Sequence, residues 1–248
     1  MAITPSVLKK RLCGRSGGLI RGTLASVILS AAKDLYLKFK KYRHDNEMAK
    51  AIPCELINWP HVNALSRQLA HQIRDARVNI DMIVAIGRGG YLPARLLSDL
   101  LGIFNLASFK IEHYRGAHKG TTALVRYGLN APVNEQHILL VDDVSDSGDT
   151  FHLAIEHIQS LGNPEQIHTA VLHHKVVSSF VPNFYAEKVE QWRWIIYPWA
   201  ITEDLASFIS SMERKSNSVE NIASYLKQAH GIEVSAEHIQ DALCLLGR

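Results

Sequence analysis

The sequence predicts an α/β fold, a parallel sheet flanked by helices, with a small helical appendage at its carboxyl end. Three observations carry this. Two apolar runs, Met82 to Ile86 and Ile138 to Val141, have the length and uniform hydrophobicity of strands buried on both faces, as a parallel sheet requires. Each run stops at a loop of glycines, acids or small residues, and each loop leads into an apolar stripe at helical spacing. After about Thr202 the pattern is helical throughout. With 248 residues, 47% of them hydrophobic, the chain can bury a large core as one domain with appendages.

Composition narrows the function classes. A net charge of +3 is too mild to point to nucleic acid as a partner. Cys13, Cys54 and Cys244 lie far apart and form no CxxC pair, so neither a zinc site nor a disulfide framework is indicated, and a reducing compartment, the cytoplasm, is expected. Histidines such as His113, His118, His152, His157, His173 and His174 fall into no HExxH or similar ligand pattern. No membrane partner is expected, since the apolar run Leu24 to Ala32 is too short to span a bilayer.

Residues 1–47 are rich in Lys and Arg and nearly free of acids until Asp45. Such a stretch has features of a secretory signal, though Arg21 and a weak apolar centre count against that. It also fits an Arg-rich transit peptide, or an extension outside the fold. From Trp59 to Arg77, Val62, Leu65, Leu69 and Ile73 recur at helical spacing, and Pro60 sits in the first turn, where its missing N–H costs nothing. The strand Met82 to Ile86 then meets Gly87, Arg88, Gly89 and Gly90, and a helix follows over 92–101. Glycines here let backbone approach a ligand, and Arg88 supplies charge. A dinucleotide fingerprint needs a third glycine where Leu92 stands, so that reading is weak.

Asn105 to Ile111 reads as another strand. The segment His113 to Gly128, with Arg115, Lys119 and Arg126, has glycines and cations without periodicity, the pattern of a mobile basic flap, or of a solvated basic hairpin. Next comes the stretch Ile138 to Thr150, ILLVDDVSDSGDT. A buried strand stops at Asp142 and Asp143, and Ser145, Asp146, Ser147, Gly148, Asp149 and Thr150 lead into a helix carrying Leu153, Ile155 and Ile158 on its apolar side. Such a turn points backbone N–H groups and a helix dipole at one spot, which suits a phosphate. Two acids would repel a bare phosphate, but they suit hydroxyl donors or a metal carried in by the ligand. The ligand that fits is a sugar phosphate with Mg²⁺.

Gln166 to His173 is a further strand, ending at Lys175, and Trp192 to Trp199 is an aromatic cluster. Beyond it, Leu205, Phe208 and Ile209, then Val219, Ile222 and Leu226, then Ile239, Leu243 and Leu246, mark three helices. Gly231 fits a helix stop.

Position by position, ILLVDDVSDSGDT resembles the phosphoribosyl-diphosphate (PRPP) signature of the type I phosphoribosyltransferases. Gly87 to Gly90 with the sequel YLPARLLSDLLGI, Lys175, and WIIYPW (Trp194 to Trp199) are similar to segments of the xanthine–guanine enzymes, in the same order. The resemblance covers about Leu56 to Thr202, and because it starts only after Met48, residues 1–47 are read as an extension outside the fold, 48–202 as the catalytic domain and 203–248 as the appendage.

The resemblance implies the type I phosphoribosyltransferase fold, with a hood over the sheet, and transfer of ribosyl 5-phosphate from PRPP to N9 of a 6-oxopurine in purine salvage, with Mg²⁺ as cofactor. Asp142 and Asp143 would hold the ribose hydroxyls and, through water, the metal. Ser145 to Thr150 would hold the 5-phosphate, and Gly87 to Gly90 with Arg88 the pyrophosphate. Asp146 would be a general base near purine N7. Lys175 would meet the six-position oxygen, Trp194 would stack on the purine and the Ile195 backbone would read its edge. Arg115, Lys119 and Arg126 would lie on a flexible loop closing over the site. PRPP and a purine base would be the partners, with a homo-oligomer as the assembly. Ala200 departs from the family, which commonly has an acid after the last tryptophan. A PRPP-binding regulator without catalysis, or an enzyme for another base, are the alternatives.

Overall fold

In the computed structural model, residues 52–115, 121–212 and 215–247 are described. The extension 1–47 and Lys119 therefore lie outside the described residues. The chain forms two compact units, one of residues 51–201 with 226–233, the other containing 202–225 and 234–248.

The first unit is built on a six-stranded sheet. Its strands are β2 (Met82–Gly87), β3 (Leu106–Arg115), β4 (Thr121–Tyr127), β5 (His137–Ser145), β6 (Gln166–Lys175) and β7 (Phe184–Val189), in the order β4-β3-β2-β5-β6-β7. All neighbours are parallel except β3 and β4. β1 (Cys54–Leu56) pairs in parallel with β8 (Trp194–Ile196) as a separate two-stranded sheet, the hood. The segment expected as an aperiodic flap is, over Thr121–Tyr127, an edge strand returning antiparallel on an extended β3. Alternating Thr, Val and Tyr favour an extended chain there more than Arg126 and Gly128 oppose it.

Strand alternation explains why both faces are covered. Ile83, Ala85, Leu139 and Val141 point to one side and pack with Leu65, Leu69 and Ile73 of α1 (Trp59–Asp75) and Ala94 and Leu97 of α2 (Tyr91–Leu101). Met82, Val84, Ile86, Ile138 and Leu140 point to the other and pack with Phe151, Ala154 and Ile158 of α3 (Asp149–Leu161). The uniform apolarity of β2 and β5 is thus the signature of two helical layers. Asn58 caps α1 by accepting from the His61 N–H at 2.9 Å, one turn before the apolar stripe begins. At the other end of α2, Gly102 takes φ +71, a left-handed stop.

Further along the chain, α4 (Ile201–Ser211), α5 (Val219–His230) and α6 (Ala236–Leu245) bury Leu205, Phe208, Ile209, Ile222, Leu226, Ile239 and Leu243, as expected from periodicity, while Val219 and Leu246 are half-buried. Ser235 caps α6 through the His238 N–H, and Gly231 ends α5 at φ +71. Among the described residues no helix is long and apolar enough to cross a membrane.

Candidate active site

Adjacent parallel strands bring the two loops together. Ala85 of β2 lies opposite Val141 of β5, so the glycine loop after β2 and the acids after Val141 emerge at the same sheet edge. Contact is immediate. A Cβ on Gly90 would lie 2.3 Å from the Val141 carbonyl oxygen, and one on Gly89 2.5 Å from Asp143 Oδ2. Only glycine fits at position 90, where the obstacle is backbone; at position 89 the Asp143 carboxylate would have to move. Arg88 stands exposed between Gly89 and the buried Gly87, and the Gly87–Arg88 peptide is cis.

Asp142 is buried, and its Oδ1 accepts from the Asp143 N–H at 2.9 Å. Burial, and next the charge of Asp143, push its carboxyl well above the usual range. Burial likewise raises Asp143 to about 6, against the pull of the Trp199 indole, backbone N–H groups and Lys175. Although Trp199 Nε1 faces this carboxyl, it does not reach hydrogen-bond geometry. Two adjacent acids held reluctant to ionise need positive charge in front of them.

The turn into α3 is a cradle. Gly148 takes φ +95, where a Cβ would meet Ser179 Oγ at 2.6 Å and the Phe180 nitrogen at 2.7 Å. Among the described residues, the N–H groups of Asp146, Ser147 and Gly148 have no hydrogen-bond partner, and they precede the amino end of a 13-residue helix. Consecutive unpaired amides at such an end are an anion site. Ser147 Oγ donates to Asp149 Oδ2 at 3.0 Å, both residues exposed, and Thr150 is half-buried. Ser145 faces the other way: it is buried, its hydroxyl 2.8 Å from Ser178 Oγ and 3.1 Å from the Phe180 carbonyl oxygen it donates to. Its hydroxyl braces the loop and only its backbone borders the site.

On the far side, Lys175 at the end of β6 is 2% exposed, and its Nζ sits 2.9 Å from Asp146 Oδ2. The same ammonium lies 4.8 Å from the ring centre of Trp192 and 6.0 Å from that of Trp194. Trp192 Nε1 donates to Asp146 Oδ1 at 3.2 Å. Trp194 is half-buried, with a buried Nε1 that has no partner, and Ile195 lies opposite Glu55 in the β1–β8 ladder. An ammonium has three donors, so Lys175 can hold Asp146 and still offer a proton to a carbonyl oxygen. Below this, Tyr197 stacks on Trp199 at 4.7 Å and donates its hydroxyl proton to the Asp143 carbonyl oxygen at 2.9 Å. Fully buried His173 has Nδ1 2.7 Å from that hydroxyl, and burial lowers this histidine to about 4, so it is neutral.

Arg115 ends β3, whereas Arg126 on β4 places Nε 4.0 Å from Glu112 Oε2. Trp192 and Tyr197 are visible in the sequence only as members of an aromatic cluster. His173 and Ser178 carry no local signal of their own.

Residues 55–204 match the family described as Phosphoribosyl transferase domain, well over half of the chain. The chain belongs to the phosphoribosyltransferases. Among solved structures, a purine phosphoribosyltransferase from Pyrococcus horikoshii Ot3 superposes with a TM-score of 0.53 at 30% identity, over 60% of this chain and 94% of that one. A xanthine-guanine phosphoribosyltransferase from Gluconobacter oxydans is 27% identical over 62% of this chain and 89% of its own length. The transcriptional regulator GfcR from Methanococcus vannielii is 26% identical over 54% of this chain and 66% of its own length. The fold and family expected from the PRPP-like motif are thus found, with the xanthine–guanine enzymes among the relatives.

Proposed function

We propose that this phosphoribosyltransferase works in purine salvage, in the cytoplasm, moving ribosyl 5-phosphate from PRPP to N9 of a 6-oxopurine: guanine, xanthine or hypoxanthine. The bond from ribose C1′ to pyrophosphate breaks, a C1′–N9 bond forms, and the purine gives up a proton. One observation carries the reading. Buried Lys175, paired with Asp146 beside Trp194, offers a donor to a ring carbonyl within one loop of three unpaired amides suited to phosphate.

In this reading the amides of Asp146 to Gly148, with Ser147, Asp149 and Thr150 around them, hold the 5-phosphate, and Gly87 to Gly90 with Arg88 hold pyrophosphate. Asp142 and Asp143 hold the ribose hydroxyls, and their charge favours the cationic sugar of the transition state. Trp194 stacks on the base, the Ile195 backbone reads its edge, and Asp146 takes or orients the proton near N7. Lys119 is the cation proposed to close over the centre and keep water away, whereas Arg115 and Arg126 stand on the paired strands β3 and β4. The small molecules are the partners, and assembly as a homo-oligomer follows from the family resemblance.

Magnesium fits the pair Asp142 and Asp143. Both are destabilised as anions by burial, and two acids with no third ligand among the described residues suit an ion that arrives with substrate oxygens rather than one caged by protein. Bound there, Mg²⁺ would neutralise charge on the departing pyrophosphate.

Supplying PRPP and MgCl₂ with each 6-oxopurine in turn, and following nucleotide and pyrophosphate, tests the assignment. Product with at least one oxopurine is expected. No product, with PRPP bound but unconsumed, would favour a regulator, a reading to which the similarity with a transcriptional regulator lends some support. Product only with a pyrimidine or another base would keep the donor site and overturn the acceptor.

A further inference from the structure

His173 and Tyr197 form a buried hydrogen-bond chain between the two halves of the candidate site. Tyr197 is 3% exposed and lies between Trp194 and Trp199, just after β8, while His173 lies within β6, two residues before Lys175. The Tyr197 hydroxyl reaches the Asp143 carbonyl oxygen at 2.9 Å and His173 Nδ1 at 2.7 Å. A phenol has one proton to give. With that proton on the carbonyl, His173 must donate Nδ1–H back to the hydroxyl oxygen. His173 Nε2 is then left bare, and it is in fact buried without a partner, 3.9 Å from Glu187 Oε2.

The chain acts unequally on its two ends. The base-binding segment has its own fixings, since the Trp194 N–H donates to the Pro53 carbonyl and the Ile57 N–H to the Ile196 carbonyl, each at 2.9 Å. Asp143 has fewer. In the pairing of β5 with β6, Asp142 lies opposite Val171 and Val144 opposite His173, and Asp143 is passed over. Its N–H donates to Asp142 Oδ1, and its carbonyl accepts from the Tyr197 hydroxyl, so this bond holds the backbone that carries the carboxylate.

We propose that Tyr197 and His173 are positioning residues that aim the Asp143 carboxylate at the magnesium salt of PRPP, with no contact to either substrate. This rests on the assignment of Asp143 to the PRPP site. Loss of the hydroxyl removes one buried donor from the Asp143 carbonyl and strands His173 Nδ1–H, so the acid loses its aim while the base segment stays held by β1.

The test compares wild type, Tyr197→Phe, His173→Leu and His173→Asn, using calorimetry with Mg·PRPP and steady-state kinetics. Tyr197→Phe keeps the ring and its stacking on Trp199. Its Kd and KM for Mg·PRPP are expected to rise roughly 10-fold, the usual scale for stranding a buried polar group, with the base KM within about twofold. His173→Leu should behave alike, and His173→Asn, whose amide N–H can stand in for Nδ1–H, should recover most of the affinity. Unchanged PRPP affinity in Tyr197→Phe, or equal rises for PRPP and base, would overturn the proposal. So would an Asn variant no better than Leu. Should wild type bind Mg·PRPP yet form no nucleotide, the transferase reading falls while the affinity comparison still decides this one; should it bind none, both fall.

Discussion

Lys175 Nζ and Asp146 Oδ2 are 2.9 Å apart, an ammonium almost wholly buried against a carboxylate that is partly open to solvent. The pair joins the proposed base side of the site to the proposed phosphate loop, because Asp146 also contributes one of the unpaired amides. A change at either residue is therefore expected to register on both substrates.

Asp146→Asn keeps the shape and removes the proton acceptor. Turnover is expected to fall by about 10²- to 10⁴-fold, with a smaller loss of PRPP affinity, measured by steady-state kinetics against calorimetry. Undiminished turnover would take Asp146 out of the proton step.

Lys175→Met retains the apolar stem and loses the donor. Discrimination between a 6-oxopurine and a purine without that oxygen should shrink by roughly 10- to 100-fold, the scale of a hydrogen bond to a charged group. Competition assays with the two bases would read this directly, and an unchanged ratio would show that the ammonium does not meet the base.

Gly89→Ala and Gly148→Ala separate two kinds of crowding. At Gly89 the added methyl meets only the Asp143 carboxylate, so the fold should hold while Mg·PRPP affinity drops about 10-fold or more. At Gly148 it meets Ser179 and Phe180 at φ +95, which should cost about 1–3 kcal/mol of stability as well. Denaturant midpoints alongside calorimetry distinguish them.

The acids predict a pH dependence for the unliganded protein. Burial raises Asp143 to about 6 from an unfolded value near 4, so its contribution to stability is complete below about pH 4 and is lost as pH rises through about 6. Asp142 shifts in the same direction. Asp143→Asn escapes the penalty, and its advantage in Tm over wild type should grow between pH 5 and pH 8. A gap that shrinks over that interval would contradict the burial argument.

Much of this was legible in the chain because it is local. Asp142, Asp143 and the turn to Thr150 form one continuous stretch, where strand, loop and helix onset each leave their own pattern, and the buried runs Met82–Ile86 and Ile138–Val141 announce the sheet. What sequence did not show depends on register between distant segments. Nothing near His173 indicates that Tyr197 comes to lie over it, and nothing near Ser145 that Ser178 and the Phe180 carbonyl hold its hydroxyl. The short strands Cys54–Leu56 and Phe184–Val189 carry too few residues for a period to emerge. Thr121–Tyr127 was obscured by the glycines and cations around it.

The pairing of Ala85 with Val141 hangs both proposed donor loops on the middle of the main sheet, whereas Trp194 to Ile196 belong to a three-residue ladder of their own. On the proposed roles, the grip on the activated sugar is anchored in the main sheet, and the stacking on the acceptor ring in the peripheral ladder. On those roles, a lineage built this way can reshape the surface that stacks on the heterocycle by altering the peripheral ladder, without disturbing the strands that carry the donor loops.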